Sequence, residues 1–248
     1  MRHLALAAPL ACLACWHPGP TTHAWQYQLQ GKVDTSVTAH VYDVDGWDVP
    51  RKTVAKLHNA GRRVVCYIDA GTWEDWRPDS DRFPRAALGK HVEGWPGERW
   101  LDIRRLDVLR PIMEQRLDLC RAKGFDGVEP DNVDGYGNST GFPLTAADQL
   151  AYNRFLVAAA HARGLSIGLK NDLDQAAELQ PDYDWALNEE CFQNGECDLL
   201  RPFVAAGKAV FNVEYSLDTS AFCPQAQALG FMSMRKTLSL DASRTPCW

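Results

Sequence analysis

Eight short apolar runs recur along this chain, most of them followed by an amphipathic helical stretch, and few folds accommodate that pattern. Residues 37–44, 63–68, 99–103, 125–129, 165–169, 184–187, 208–213 and 231–235 read as strands. Helical spacing is predicted over residues 50–59, 108–123, 145–163, 199–206 and 225–229, with Thr145 as an N-cap and Gly61, Gly164 and Gly207 as stops. Alternation of this kind builds βαβ units and a parallel sheet, and eight units close into a (β/α)8 TIM barrel. Such a barrel takes roughly 250 residues, and the chain has 248, so one α/β domain is expected over residues 25–248. A doubly wound open sheet is the alternative. It is disfavoured because the sequence has neither G-x-G-x-x-G nor G-x-x-x-x-G-K-[ST].

The first residues do not fit this pattern. Arg2 and His3 precede an apolar run over residues 4–16, too short to span a bilayer, and Thr22-His23-Ala24 offers small residues for a peptidase. Residues 1–24 are therefore predicted to be a signal peptide, cleaved before Trp25, and the protein to be secreted or held at the cell surface. A lipoprotein acylated at Cys12 or Cys15 is a second reading, set back by Pro9 and Cys12 at the positions three before. Six cysteines remain after the leader, an even number that in an exported chain points to disulfides. Cys191 and Cys197 could close a short loop and Cys223 and Cys247 could tie down the tail. Cys66 and Cys120 would then pair by exclusion, one of about fifteen connectivities open to six cysteines. Net charge is −6 with no basic block, which argues against nucleic acid or an anionic membrane as partner. No transmembrane span, no metal site and no cofactor are expected, and the protein is expected to be a monomer.

What the strands end in is more informative. Asp43 and Asp45 close the first, Asp69 the second, Asp102 the third, Asp131 and Asp134 the fourth, Glu189 and Glu190 the sixth, and Glu214 the seventh. The C-terminal rim of a barrel is where active sites are built. A ring of carboxylates there costs repulsion, and suits a cationic ligand or two acids working at separated pKa values. Asp45, Asp134 and Asp172 serve equally well as helix caps. Trp47, Trp73, Trp76, Trp95, Trp100, Tyr136 and Tyr215 accompany the acids. Aromatic faces beside carboxylates suit a sugar, and two carboxylates at a barrel mouth are the apparatus of glycoside hydrolysis. No G-x-S-x-G elbow or H-E-x-x-H helix offers other hydrolytic chemistry.

The motifs WQYQL at 25–29, YIDAGTWEDWRPD at 67–79, GWPGERWLD at 94–102, GFDGVEPDNVDGY at 124–136, GLKN at 168–171 and NEECF at 188–192 occur in that order. Together they resemble glycoside hydrolase family 114, the endo-α-1,4-polygalactosaminidases. The resemblance implies a (β/α)8 barrel, export, and cofactor-free hydrolysis of α-1,4-linked galactosamine polymers, which are polycationic when deacetylated. It assigns Asp131 as nucleophile and Glu189 as acid/base, with Glu190 the carboxylate that a one-residue slip would put in its place. Glu129 shares a strand face with Asp131, and Asn132 supports it. Lys170 and Asn171 are expected as hydrogen-bond donors, the ammonium keeping Asp131 ionised. Asp43, Asp69, Asp102, Glu214, Tyr215 and Trp73 are expected to meet the sugar. A barrel that binds amino-sugar polymers without turnover, or one that cleaves another α-linked glycan, are the competing functions.

Overall fold

A computed structural model of the chain describes residues 15–19 and 24–248. Most of the expected leader, Cys12 included, therefore lies outside the described residues. Residues 15–19 rest on the barrel, where Pro18 accepts a bond from Ala209 N at 2.9 Å and His17 Nδ1 lies 3.0 Å from Asp184 Oδ1. Among the described residues no helix is long and apolar enough to cross a membrane.

Eight parallel strands form the barrel wall: β1 (Trp25–Gln28), β2 (Val41–Asp45), β3 (Arg63–Asp69), β7 (Gly127–Asp131), β8 (Ser166–Lys170), β9 (Trp185–Glu189), β10 (Val210–Glu214) and β11 (Met232–Arg235). The helices are α1 (Arg51–Asn59), α2 (Leu106–Lys123), α3 (Ala146–His161), α4 (Ala176–Leu179), α5 (Cys191–Asn194), α6 (Arg201–Ala205) and α7 (Thr219–Leu229). Between β3 and α2 the chain makes an excursion, β4 (Thr72–Glu74), β5 (Leu88–His91) and β6 (Glu98–Leu101), which pair as a separate antiparallel sheet in the order β4-β6-β5.

The expected eightfold barrel is thus present, with one strand exchanged. Residues 99–103, expected in the wall, lie in and just beyond the central strand of the side sheet. The first wall strand is Trp25–Gln28, which is followed by no helix. Its Trp25 and Tyr27 are buried in the barrel interior. Gln26 is covered by the chain's last segment, its Nε2 donating to Ala242 O at 2.8 Å.

That segment also makes the seam. Leu29 N and Gln30 N donate to Leu240 O at 2.9 and 3.2 Å, Trp25 Nε1 donates to Met232 O at 2.8 Å, and Arg244 donates to Trp25 O. The strand β12 (Thr245–Pro246) pairs antiparallel with β11. The three expected disulfides are formed. Cys66–Cys120 ties β3 to α2, Cys191–Cys197 closes the turn after β9, and Cys223–Cys247 fastens the tail to α7.

Period-2 alternation divides each strand between two cores. Val64, Cys66, Ile68, Val128, Ile167 and Leu169 face the helices and pack on Leu109, Met113 and Leu117 of α2 and Leu156 of α3. Trp25, Val41, Val65, Trp185 and Phe211 fill the inside. The Trp25 and Trp185 rings stand 4.9 and 5.6 Å from that of Phe211. Room for Trp185 exists because position 168 is glycine: a Cβ there would come within 2.3 Å of the indole. Further along each strand the inward residues turn polar.

Candidate active site

The strand β7 carries Gly127, Glu129 and Asp131 inward. Pairing with β3 runs through Asp69↔Asp131, whereas pairing with β8 is made at Gly127 and Val128. Pro130, which has no N–H to donate, stands beyond the point where the β8 ladder stops. It does not end the strand, as the sequence suggests. It leaves β7 and β8 apart at the mouth, where Lys170 crosses from the end of β8.

Lys170 is 1% exposed. Its Nζ lies 2.9 Å from Asp131 Oδ1, 3.1 Å from Glu129 Oε1 and 3.2 Å from Glu189 Oε2, so one ammonium joins three carboxylates from β7 and β9. Burial alone would strip its proton, but the three negative neighbours override this and hold it charged. Asp131 is the converse case. Burial pushes its carboxyl up, yet the charge and hydrogen bond of Lys170, the Asn132 N–H at 2.8 Å and the Tyr67 hydroxyl at 3.0 Å bring it below the usual range. It is ionised at neutral pH. Tyr215 donates to Glu189 Oε1 and Tyr27 to Glu129 Oε1. Burial and the surrounding carboxylates raise all three tyrosines, which therefore remain donors.

Asn132, Asn171 and Glu190, each directly after a mouth-forming strand end, have φ of 59°, 51° and 64°. The left-handed turn suits asparagine better than glutamate. At each position it turns the chain away just past the functional side chain. Asn171 Oδ1 accepts from Glu189 N at 2.9 Å and so ties the ends of β8 and β9 together.

Above Lys170 opens a cavity of about 730 Å³. Asp131, Asn132, Lys170, Asn171, Glu189, Glu190 and Tyr215, all singled out in the sequence, line it. So do Tyr27, Tyr67, Glu74 and Glu98, which sequence reasoning did not place there. Tyr27 lies on the unrecognised first strand. Tyr67 lies two residues before the strand end, on the inward face, where the spacing could have found it. Trp76 and Trp95 of the side-sheet excursion form an outer wall and are 52% and 51% exposed. A second cavity of about 330 Å³ shares Asp134, Asn171 and Glu189 with the first, so Glu189 borders both. The larger has eight acidic side chains against Arg77 and Lys170, and the smaller has no lysine or arginine in its lining.

Several expected sugar contacts are placed elsewhere. Asp69 is buried and taken up by Thr72 N, Thr72 Oγ1 and Asn132 Nδ2. Asp102 sits beyond β6 in a two-bond pair with Arg104. Glu214 is buried and accepts from Phe192 N, Gln193 N and Asn212 Nδ2 at the start of α5. Trp73 donates to Ser80 O, away from the cavity lining. Glu129 and Asp43 lie beneath Lys170 rather than at the open mouth. Asp45 accepts from Trp47 N, Asp48 N and Arg77 and shapes the turn after β2, and it is not the helix cap its sequence context also allowed, since Pro50 stands at the start of α1. Among the described residues no cluster of three His, Cys, Asp or Glu could hold a metal.

The sequence pattern of glycoside hydrolase family GH114 matches residues 6–248. This chain belongs to glycoside hydrolase family 114. The structure of Ega3 from Aspergillus fumigatus in complex with galactosamine superposes on it with a TM-score of 0.89 at 42% identity, covering 94% of this chain and 97% of that one. The glycoside hydrolase domain of PelA from Pseudomonas aeruginosa shares the fold, with a TM-score of 0.69 at 15% identity over 92% of this chain and 98% of that one. An uncharacterised protein of Deinococcus radiodurans is 27% identical over 88% of this chain and 81% of its own length. The GH114 chain is a glycoside hydrolase on a TIM-like barrel.

Proposed function

We propose that this protein is an exported, retaining hydrolase of α-1,4-linked, galactosamine-containing polysaccharide, with Asp131 as nucleophile and Glu189 as acid/base. The observation that carries this is the shared ammonium. Asp131 Oδ1 and Glu189 Oε2 both bond Lys170, so they can be no further apart than the two bonds laid end to end, about 6 Å. Two carboxyls gathered on one ammonium suit the close pair of a retaining enzyme, ~5–5.5 Å apart, better than the ~6.5–9.5 Å spacing of an inverting one.

Asp131 attacks the anomeric carbon while Glu189 gives a proton to the departing glycosidic oxygen. Once Asp131 is an ester its charge is gone, and Lys170 is left to Glu189 and Glu129. Having given up its proton, Glu189 takes one back from the water that attacks the anomeric carbon and frees Asp131. Asn132 and Glu190 stand at the rim as contacts for the bound sugar. Acidic linings on both sides of Glu189 suit a cationic chain lying across it, which favours attack within a polymer. The likeness to Ega3, whose structure holds galactosamine, supports the amino sugar. The apolar run over residues 4–16 and the three disulfides support export.

Deacetylated galactosaminogalactan should gain reducing ends on treatment, with the first-formed product in the α configuration by NMR. Asp131→Asn and Glu189→Gln should each lower kcat by about 10³-fold or more. A β product would overturn retention. Full activity of Asp131→Asn would overturn the assignment, and binding without new reducing ends would favour a non-catalytic barrel.

A further inference from the structure

Beneath Lys170 lies a contact that the reaction as described does not use. Asp43 points inward from the middle of β2, paired in register with Tyr27 of β1 and Val65 of β3. It is 1% exposed, and neither of its oxygens meets a donor. Glu129 is fully buried. Its Oε1 takes Tyr27 and Lys170, while its Oε2 also meets no donor. The two side chains are within hydrogen-bonding reach of each other. Three carboxyl oxygens of two neighbouring buried acids thus have no donor among the described residues. Two carboxylates cannot be held so without a large cost, but one proton turns the contact into a strong O–H···O⁻ hydrogen bond.

We propose that Asp43 is held as a carboxylic acid that donates its proton to Glu129 Oε2, and that it acts as a positioning residue for the catalytic ammonium. The bonding pattern says which partner keeps the charge: Glu129 already has two donors on Oε1, and Asp43 has none. With Oε2 satisfied from below, the Glu129 carboxylate offers Oε1 to Lys170 in a fixed orientation. That fixes where Lys170 meets Asp131 and Glu189. Burial pushes Asp43 up to about 8, with Lys170 and the bond with Glu129 acting in the opposite sense. Burial raises Glu129 as well, opposed first by Lys170 and reinforced by Asp43 and Asp131. The groups facing this pair are Tyr27 on β1, Tyr67 on β3, Asp131 on β7, Lys170 on β8 and Glu189 on β9. Of these, Lys170 alone is positive. Loss of the shared proton would set two carboxylates against each other and draw the ammonium down, away from Asp131.

The test has an arm that needs no substrate. Infrared spectra at neutral pH should show the carbonyl stretch of a protonated carboxyl that vanishes in Asp43→Asn. An unchanged spectrum would overturn the proposal whatever the protein hydrolyses. The second arm rests on the glycosidase reading. Asp43→Leu leaves Glu129 Oε2 unsatisfied and should lower kcat by about 10²-fold with little change in KM, as expected when a reacting group is displaced by about 1 Å. Asp43→Asn, whose Nδ2 can donate to Glu129, should recover most of that loss and remove the fall in activity near pH 8. Glu129→Gln, which discharges the partner of Lys170, should cost more than Asp43→Asn. Equal losses in the Asn and Leu variants, or an alkaline limb unchanged in Asp43→Asn, would leave Asp43 a merely structural residue.

Discussion

The floor and the mouth of the barrel are built from the same strands by the same alternation, yet they are held together by opposite physics. Along β9 the inward residues run Trp185, Leu187, Glu189, and along β8 they run Ser166, Gly168, Lys170. At the floor, Trp25, Trp185 and Phe211 interlock by shape. At the mouth, one ammonium holds three carboxylates that would otherwise repel. A floor made of volume tolerates any pH but no change of size. A mouth made of charge tolerates changes of size but not the loss of a partner.

The sharpest way to break the mouth is Lys170→Met. It leaves Glu129, Asp131 and Glu189 without their common cation, and removing one member of a buried ionic set costs about 3–5 kcal/mol. Activity should fall by about 10³-fold or more at the same time. Adding Asp131→Asn should restore part of the stability and none of the activity, as read by thermal unfolding and a reducing-end assay. Breaking the floor should do the reverse. Trp185→Ala should cost about 3–5 kcal/mol in denaturant unfolding, while kcat of the molecules still folded stays within a few-fold.

A smaller and more diagnostic effect is pH. In the folded state Asp43 and Asp172 are pushed up to about 8, Glu98 to about 7 and Asp134 to about 6, each chiefly by burial. Between the ordinary carboxyl range and these values the folded chain holds protons that the unfolded chain has released. Stability therefore falls as pH rises from about 4 to about 8. Tm measured across that interval should decline, and Glu98→Gln should flatten the part near pH 7. No floor substitution should alter the slope. The smallest effect belongs to the outer wall. Trp76→Ala should raise KM for the polymer by a few-fold and leave Tm nearly unchanged, since half of that ring already meets water.

Much of this division is legible in the sequence, because it follows from spacing. Apolar runs ending in Asp131, Lys170 and Glu189 place all three at one mouth once a parallel barrel is assumed, and the six cysteines pair as the simplest connectivity has them. Two kinds of information are absent from spacing. One is which sheet a strand joins: residues 99–103 read as a strand like those of the wall, and only their partners put them in the side sheet. The first wall strand hides for a related reason, since Gln26 and Gln28 look like loop residues until a distant segment covers them. The other is what an acid after a strand is bonded to. Asp69, Asp102 and Glu214 stand where sugar contacts are expected, but nearby backbone N–H groups, Thr72, Asn132, Arg104 and Asn212 occupy them first.

The tail that bridges β11 to β1 has a consequence for how the enzyme comes into being. Leu238, Ser239 and Leu240 belong both to that seam and to the wall of the larger cavity. A growing chain therefore acquires the strand that carries Asp131 about a hundred residues before this part of the cavity wall. Without this segment the cavity lacks that part of its wall, and the Cys223–Cys247 bridge that anchors it can form only after Cys247 has been made. Enclosure of the cleft thus waits on a segment that lies far along the chain from Asp131.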